Sequence, residues 1–211
     1  TASDNTAVGY NALQVNTTGS SNVALGNYAL DANTTAGVNT AVGMHSLGAT
    51  TTGGENTGIG YEALSLTTTG GQNAAVGAYA LENNTTGGKS CAFGYKALES
   101  NTTANQNVAV GYQSLFKNTT GNSNTAIGKV ALEQNVTGSR NTAVGNNALE
   151  ENTANDNTAI GNNALIANTS GTANVAVGVY TLDANTTGSY NSAFGYVALG
   201  ANTTGEKNVA I

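Results

Sequence analysis

The sequence is poor in the residues that usually carry chemistry. Among its 211 residues there are one cysteine, one histidine, no tryptophan and no proline, and only 9% are charged. Cys91 has no partner for an internal disulfide. His45 has no second histidine with which to build a metal site or a catalytic triad. The sequence therefore predicts a protein that is not an enzyme, with no catalytic, cofactor-binding or metal-binding residues.

The few charges are mainly acidic, with a formal net charge of −6. This balance argues against nucleic-acid binding, which needs a basic surface, and against attachment to an anionic membrane. The apolar runs are too short to span a bilayer, so no membrane insertion is expected. The chain begins at Thr1 rather than at a methionine, which predicts a fragment or a processed product.

A single motif, first seen as NTAVGYNALQVNTTG at residues 5–19, recurs along the whole chain. With its first Asn as position 1, the step between repeats is 17 residues, except for one step of 16 between Asn141 and Asn157. There are twelve full repeats and the start of a thirteenth, with position 1 at residues 5, 22, 39, 56, 73, 90, 107, 124, 141, 157, 174, 191 and 208. Such a period indicates a repeat architecture.

The repeat separates charged from uncharged positions. Position 5 is always Gly, position 9 is always Leu, position 4 is always apolar, and positions 12–14 usually read Asn-Thr-Thr. Charged residues occur only at positions 6, 7, 10, 11 and the last two. Because burial of an unpaired charge is costly, the charged positions are predicted to face water and the charge-free positions to face the interior. The short repeat places its deletion in an outer turn near residues 151–157.

Positions 1–5 are typical of a strand, with positions 2 and 4 on one face, predicted to point inward, and the small position 3 on the other. Positions 6–11 are compatible with a helical turn or a tight bend. Stacked strands lie about 4.8 Å apart, whereas packed helices need roughly 8–10 Å. The spacing therefore favours a bend that turns the Leu inward. A leucine-rich-repeat horseshoe is the rival architecture, with longer repeats of about 20–29 residues.

One repeat cannot fold alone. Two large apolar side chains together with the small ones of a coil contribute about 4–6 kcal/mol on burial, and ordering 17 residues costs about 1–2 kcal/mol each. Stacking adds hydrogen bonds between coils and seals the core. The sequence thus predicts an all-β, elongated parallel β-solenoid of about twelve 17-residue coils, forming a single domain over residues 1–211, with Leu, Asn and Thr ladders.

The motif NTAVGYNAL…NTTG resembles the repeat region of bacteriophage tail fibres and related bacterial surface proteins. NVAVG and NTAIG are also similar to the shorter head repeats of trimeric autotransporter adhesins. The resemblance covers the whole chain. It implies an elongated, extracellular or virion-borne fibre, commonly trimeric, and it implies no catalytic residue.

Several residues are candidates for a site. His45 is expected on the surface and Cys91 in the core. Acidic residues recur at position 10, where Glu82 should neighbour Glu99 and Glu133 should neighbour Glu150; the alternatives are a solvated acidic stripe, acid–base chemistry or Ca²⁺ binding. The position-10 acids are Asp31, Glu82, Glu99, Glu133, Glu150 and Asp183.

Tyrosines recur at positions 6 and 7, where they could stack on sugars, cover the corner of a coil or pack against another chain. They are Tyr10, Tyr61, Tyr95, Tyr112 and Tyr196 at position 6, and Tyr28, Tyr79 and Tyr180 at position 7. Most NTT units match the N-glycosylation pattern, although Asn and Thr also suit turns and ladders. Ice-binding solenoids present two outward Thr columns. Strand alternation at Thr17 and Thr18 would leave only one outward, which argues against ice binding.

The function predicted is the structural shaft or spacer of an extracellular or virion fibre, either a phage tail fibre or a bacterial surface fibre. The alternative is a repetitive ligand-binding solenoid, for polysaccharide rather than ice. The expected partners are copies of the same chain, as a trimer or end to end, and a cell-surface glycan. The uncapped ends, TASDN and NVAI, predict a stretch of a longer fibre. Leu98→Asp is expected to abolish cooperative unfolding and Lys96→Asp to change stability little.

Overall fold

The computed structural model describes residues 2–211, which fall into two compact units, residues 2–106 and Asn107–Ile211. The first unit contains β1 (Thr6–Val8), β2 (Val23–Leu25), β3 (Thr40–Val42), β4 (Thr57–Ile59), β5 (Ala74–Val76) and β6 (Cys91–Phe93). The second contains β7 (Val108–Val110), β8 (Thr125–Ile127), β9 (Thr142–Val144), β10 (Thr158–Ile160), β11 (Val175–Val177), β12 (Ser192–Phe194) and β13 (Val209–Ala210). Residues 2–211 include no helix that could cross a membrane.

Each strand pairs in parallel with the strand of the next repeat within its unit. The partner of Thr6 is Val23, one repeat further along the chain. The register follows the one short repeat without a break, because Thr142 pairs with Thr158. Each repeat therefore forms one coil, and the predicted all-β parallel β-solenoid is confirmed. Its organisation as a single domain over residues 1–211 stays a prediction.

The strands face the opposite way from the prediction. From β2 to β12 the central residue of the strand, position 3, is the buried one, as Ala24 and Ala75 show with 0% exposure. The flanking side chains at positions 2 and 4 point outward, and Ile59 keeps 38% of its surface exposed. The prediction of inward positions 2 and 4 was therefore wrong. The large apolar character of position 4 suggested burial, but the interior has no room for it.

The interior is narrow because the position-9 leucines fill it from the opposite wall. Leu47, Leu64 and Leu81 are fully buried, as are most leucines of this column. A Cβ placed on Gly58, the only glycine at position 3, would lie 3.4 Å from Leu47 Cγ but only 2.6 Å from Ser46 Oγ, so at this coil even a methyl group would displace the serine hydroxyl. The space opposite the leucines therefore admits a small residue at position 3 and no longer side chain.

Positions 6–11 form a bend, as expected, and no helix. The N–H of Ala29 donates to the Gly26 carbonyl at 3.3 Å, and the N–H of Asn33 donates to the Leu30 carbonyl at 3.1 Å, which gives two successive tight turns. Between them Leu30 has a φ of 51°, in the left-handed region. That conformation costs roughly 1–2 kcal/mol for a residue other than glycine. Complete burial of a leucine side chain contributes about 1.5–3 kcal/mol and offsets this strain.

The invariant glycine at position 5 is required at the corner that ends each strand. Gly60 has a φ of 137°, which only glycine adopts readily. A Cβ at this position would also lie 2.6 Å from the carbonyl oxygen of Gly77 in the next coil. Backbone conformation and close stacking therefore both exclude a side chain.

Asparagine side chains form two further buried columns, at positions 1 and 12 of the repeat. Asn22 accepts the N–H of Asn39 on its amide oxygen at 3.0 Å and donates its amide to the Ala36 carbonyl at 2.9 Å. At position 12, the Asn33 amide donates to Asn16 Oδ1 at 3.0 Å. The predicted amide ladders are confirmed, and much of the interior is held by hydrogen bonds.

The short coil has lost position 14. Ala154 accepts the Asn141 amide at 2.8 Å, which is the role of the position-15 carbonyl in the other coils. Since Thr153 immediately precedes it and occupies position 13, the missing residue is the exposed one between them. The predicted outer turn is confirmed.

Candidate functional site

Two sets of charge-free positions face solvent, which the sequence did not reveal. The first is position 4, whose side chains form a line of exposed apolar groups that we call the apolar ridge. Its exposed members include Val8, Leu25, Ile59 and Phe93 in the first unit and Val110, Ile127, Ile160 and Phe194 in the second. In-register pairing sets each ridge residue beside its counterpart, as for Leu25 and Val42. Aligned apolar side chains without interspersed charge are a feature of interaction surfaces.

The second set is positions 13 and 14. In the first unit all twelve residues at these two positions are threonine, and we call this surface the threonine face. They are Thr17, Thr18, Thr34, Thr35, Thr51, Thr52, Thr68, Thr69, Thr85, Thr86, Thr102 and Thr103. Position 13 is half-buried in five coils and exposed at Thr17, and position 14 is exposed throughout. The expectation that one of the two columns points inward was wrong, because both N–H groups of a pair, such as Thr34 and Thr35, donate to the same carbonyl of the next coil. The segment is a bend rather than an extended strand.

A groove of about 400 Å³ crosses the first unit where two successive coils have small residues at position 10. Gly48 and Ser65 line it, as do Asp31 and Glu82, which occupy position 10 in the coils on either side. His45 and Glu62 also line it. Gly48 and Ser65 are the signal in the sequence that marks this depression, and sequence reasoning missed it.

The acidic residues at position 10 form a line that we call the acidic column, and Glu82 is the member whose pKa is shifted furthest from its ordinary value. Burial raises its pKa from 4.5 to about 7, and the charges of Glu99 and Glu62 add to the effect. The predicted pairing of Glu82 with Glu99 is thus confirmed. In the second unit, burial and the neighbouring Glu133 raise the pKa of Glu150, which confirms that pair as well.

The negative charge of the acidic column is offset locally, by a lysine beside Glu99. Lys96 Nζ lies 2.9 Å from Glu99 Oε1, and it also lies over the ring of Tyr79 at 5.3 Å. Within residues 2–211, no group of three or more His, Cys, Asp or Glu side chains is placed to hold a metal ion.

The tyrosines pack against one another along the corner of the coils. Tyr10 meets Tyr28 edge to face at 5.4 Å, and Tyr28 stacks on His45 at 4.9 Å with an interplanar angle of 3°. Tyr61 meets Tyr79 at 5.3 Å in the same unit. In the second unit Tyr180 meets Tyr196 at 6.4 Å, and Tyr112 and Tyr196 are exposed. Covering of the corner, one of the expected roles, is therefore observed.

The sequence predicted the location of His45 correctly and that of Cys91 incorrectly. His45 lies on the outer corner, as expected, half covered by Tyr28. Cys91, expected in the core, belongs to position 2 of β6 and is half exposed. The correction has the same cause as for the whole strand, since position 3 rather than position 2 faces the leucines.

The asparagines of the NTT units are interior residues. Asn33, Asn84 and Asn101 have 0% exposure. Their amide NH2 groups already donate hydrogen bonds, as when Asn101 donates to Asn84 Oδ1 at 2.9 Å. The role of these residues in turns and ladders is confirmed, and in the folded coil the amide nitrogens are inaccessible to a glycosylating enzyme.

Comparison of the chain with protein-family models, with curated proteins and with solved structures finds no match.

Proposed function

We propose that this chain is the shaft or spacer of an extracellular or virion fibre, of the kind found in phage tail fibres and bacterial surface fibres. Its role is mechanical rather than catalytic. Support comes from the continuous ladders of each unit, in which every coil is bonded to the next by backbone and asparagine amides. Such a repeat gives stiffness without any single indispensable residue.

The observation that carries the proposal furthest is the apolar ridge. Phe93 and Ile59 keep 43% and 38% of their surfaces exposed, and no repeat has a charged residue at this position. Exposed apolar surface of this extent is normally covered in a working assembly. We propose that the chain is a homo-oligomer, such as a trimer, in which the ridges of neighbouring chains pack against one another.

The oligomer is tested by sedimentation of the whole chain. We expect a species larger than a monomer, and we expect Ile127→Lys to shift it towards the monomer because a charge would be buried in the interface. Ser123→Lys is the matched control: it is exposed at the last position of the preceding repeat, where Lys89 and Lys207 occur naturally. A monomeric wild-type chain, or equal dissociation by both variants, would contradict the proposal.

A second candidate is recognition of a cell-surface polysaccharide, favoured by the exposed tyrosines, among them Tyr10 with 63% of its surface free. Aromatic rings are suited to stacking on sugar rings. Binding of the chain to a glycan array, with loss of the signal in Tyr10→Ala and Tyr61→Ala, would support it. An array without signal would contradict this second role.

A further inference from the structure

The threonine face combines exposure with uniformity, and no other exposed surface of the first unit does so. Position 14 is threonine in all six coils, from Thr18 to Thr103. By contrast, the equally exposed last position of the repeat has diverged widely, as Val38, Glu55 and Lys89 show. Replication of the repeat therefore does not by itself keep an exposed column uniform.

The hydrogen bonds inside the coil explain only the inner of the two threonine columns. Thr17 Oγ1 donates to the Thr34 carbonyl at 2.8 Å, and Thr85 Oγ1 donates to the Thr102 carbonyl at 3.0 Å. The same bond links the intervening coils at 3.2–3.3 Å. The hydroxyls of the outer column, from Thr18 to Thr103, take no part in this ladder. Their uniformity calls for a role outside the coil.

The geometry of the face is that of a rigid lattice. Threonine is stiff at χ1 because it is β-branched, and the ladder bond fixes the rotamer of the inner column in one coil after another. Adjacent coils are about 4.8 Å apart, so methyl and hydroxyl groups recur in two parallel rows at that interval. This interval is close to the repeat of water molecules in the surface planes of ice.

The chemistry of the face also suits ordered water. No charged residue occurs at positions 12–15, so no ion imposes its own hydration shell there. Methyl groups restrict the orientation of the water beside them, and hydroxyls hold individual waters in place by hydrogen bonds. A polysaccharide would find no aromatic platform among these twelve residues.

We propose that the threonine face of the first unit binds the surface of ice. The wild-type chain should lower the freezing point of a solution below its melting point and should inhibit the recrystallisation of ice. The face lies on a bend, apart from the strand positions that form the apolar ridge, so the inference does not depend on the proposed fibre.

The decisive variant replaces Thr35, Thr52, Thr69 and Thr86 with lysine, one in each of four successive coils. Its matched control replaces Ser21, Val38, Gln72 and Gln106, at the last position of the repeat, where Lys89 is native. Both variants add four positive charges to the first unit, and circular dichroism would verify that both are folded.

We expect the threonine variant to lose more than half of the gap between freezing and melting points and the control to keep it. A folded wild-type chain with no more effect on ice than an unrelated protein of equal mass concentration would overturn the proposal. So would equal losses in the two variants. Loss of oligomerisation in Ile127→Lys with ice activity retained would separate this proposal from that of the fibre.

Discussion

Asn33 and Thr50 occupy consecutive coils of one buried column, and neither the Asn33 amide oxygen nor the Thr50 hydroxyl oxygen has a hydrogen-bond partner. In the preceding coil the asparagine oxygen does have a partner, because the Asn33 amide donates to Asn16 Oδ1. Thr50 is too short to continue the ladder. A buried polar atom without a partner costs about 1–3 kcal/mol.

Thr50→Asn should therefore stabilise the protein. The new amide can donate to Asn33 Oδ1, and asparagine and threonine have similar volumes. We expect the free energy of unfolding to rise by about 1 kcal/mol, measured by denaturant unfolding. Thr52→Asn, on the exposed column two residues later, is the control and should have little effect. A destabilised Thr50→Asn protein would show that the column is closed to an amide here.

Leu98→Asp remains the test of a buried charge, but the structure rules out Lys96→Asp as its neutral control. Leu98 is fully buried, so Leu98→Asp should remove more than about 4 kcal/mol of stability or prevent folding. The sequence suggested Lys96→Asp as a neutral comparison. Lys96 instead pairs with Glu99, so the substitution would break an ion pair and add a negative charge to the acidic column.

Lys89→Asp is the better comparison for Leu98→Asp. Lys89 is exposed and has a φ of 60°, a conformation that aspartate tolerates well. We expect the free energy of unfolding of Lys89→Asp to lie within about 0.5 kcal/mol of the wild-type value. Similar damage from Leu98→Asp and Lys89→Asp would be incompatible with a leucine column at the centre of the coil.

The periodicity of the sequence predicted the parallel stack, the bend and the amide ladders because each depends on where Gly, Leu and Asn recur. It failed at positions 2 and 4, and at 13 and 14, because a position that carries no charge in any repeat need not be buried. Ile59 and Thr69 show this, because both side chains are exposed although no repeat has a charged residue at their positions. Orientation was settled instead by the small size of position 3.

The groove and the perturbed carboxyl were less accessible to sequence reasoning. That Glu82 would neighbour Glu99 followed from the repeat. The rise in its pKa depended on how deeply the side chain is covered, and position in a repeat does not give this. Gly48 and Ser65 mark the groove only once it is known that position 10 lines a surface.

Ionised Glu82 should destabilise the protein. The folded chain holds the Glu82 proton up to about pH 7, whereas an ordinary glutamate loses it near 4.5, so the folded state binds more protons between these values. The contribution of Glu82 to stability therefore falls as the pH rises from about 4.5 to 7. Glu82→Gln should stabilise the protein at pH 8 and have little effect at pH 4.

The size of the Glu82→Gln effect is limited by solvent, because the side chain is only half buried. We expect about 1 kcal/mol at pH 8, well below what the full pKa shift would imply. A stabilisation by Glu82→Gln that is the same at pH 4 and pH 8 would refute the assignment to its charge.

The corner glycine gives the sharpest test of the stacked backbone. Gly60→Ala would force an alanine into a φ of 137° and place its Cβ 2.6 Å from the Gly77 carbonyl oxygen, so neither rotation nor repacking relieves the clash. We expect a loss of at least about 3 kcal/mol in the free energy of unfolding. Gly48→Ala is the control, since its Cβ would come no closer than 3.3 Å to the His45 carbonyl oxygen, and it should change stability by less than about 1 kcal/mol. If Gly60→Ala unfolds at the same denaturant concentration as Gly48→Ala, adjacent coils are further apart at this corner than the structure has them.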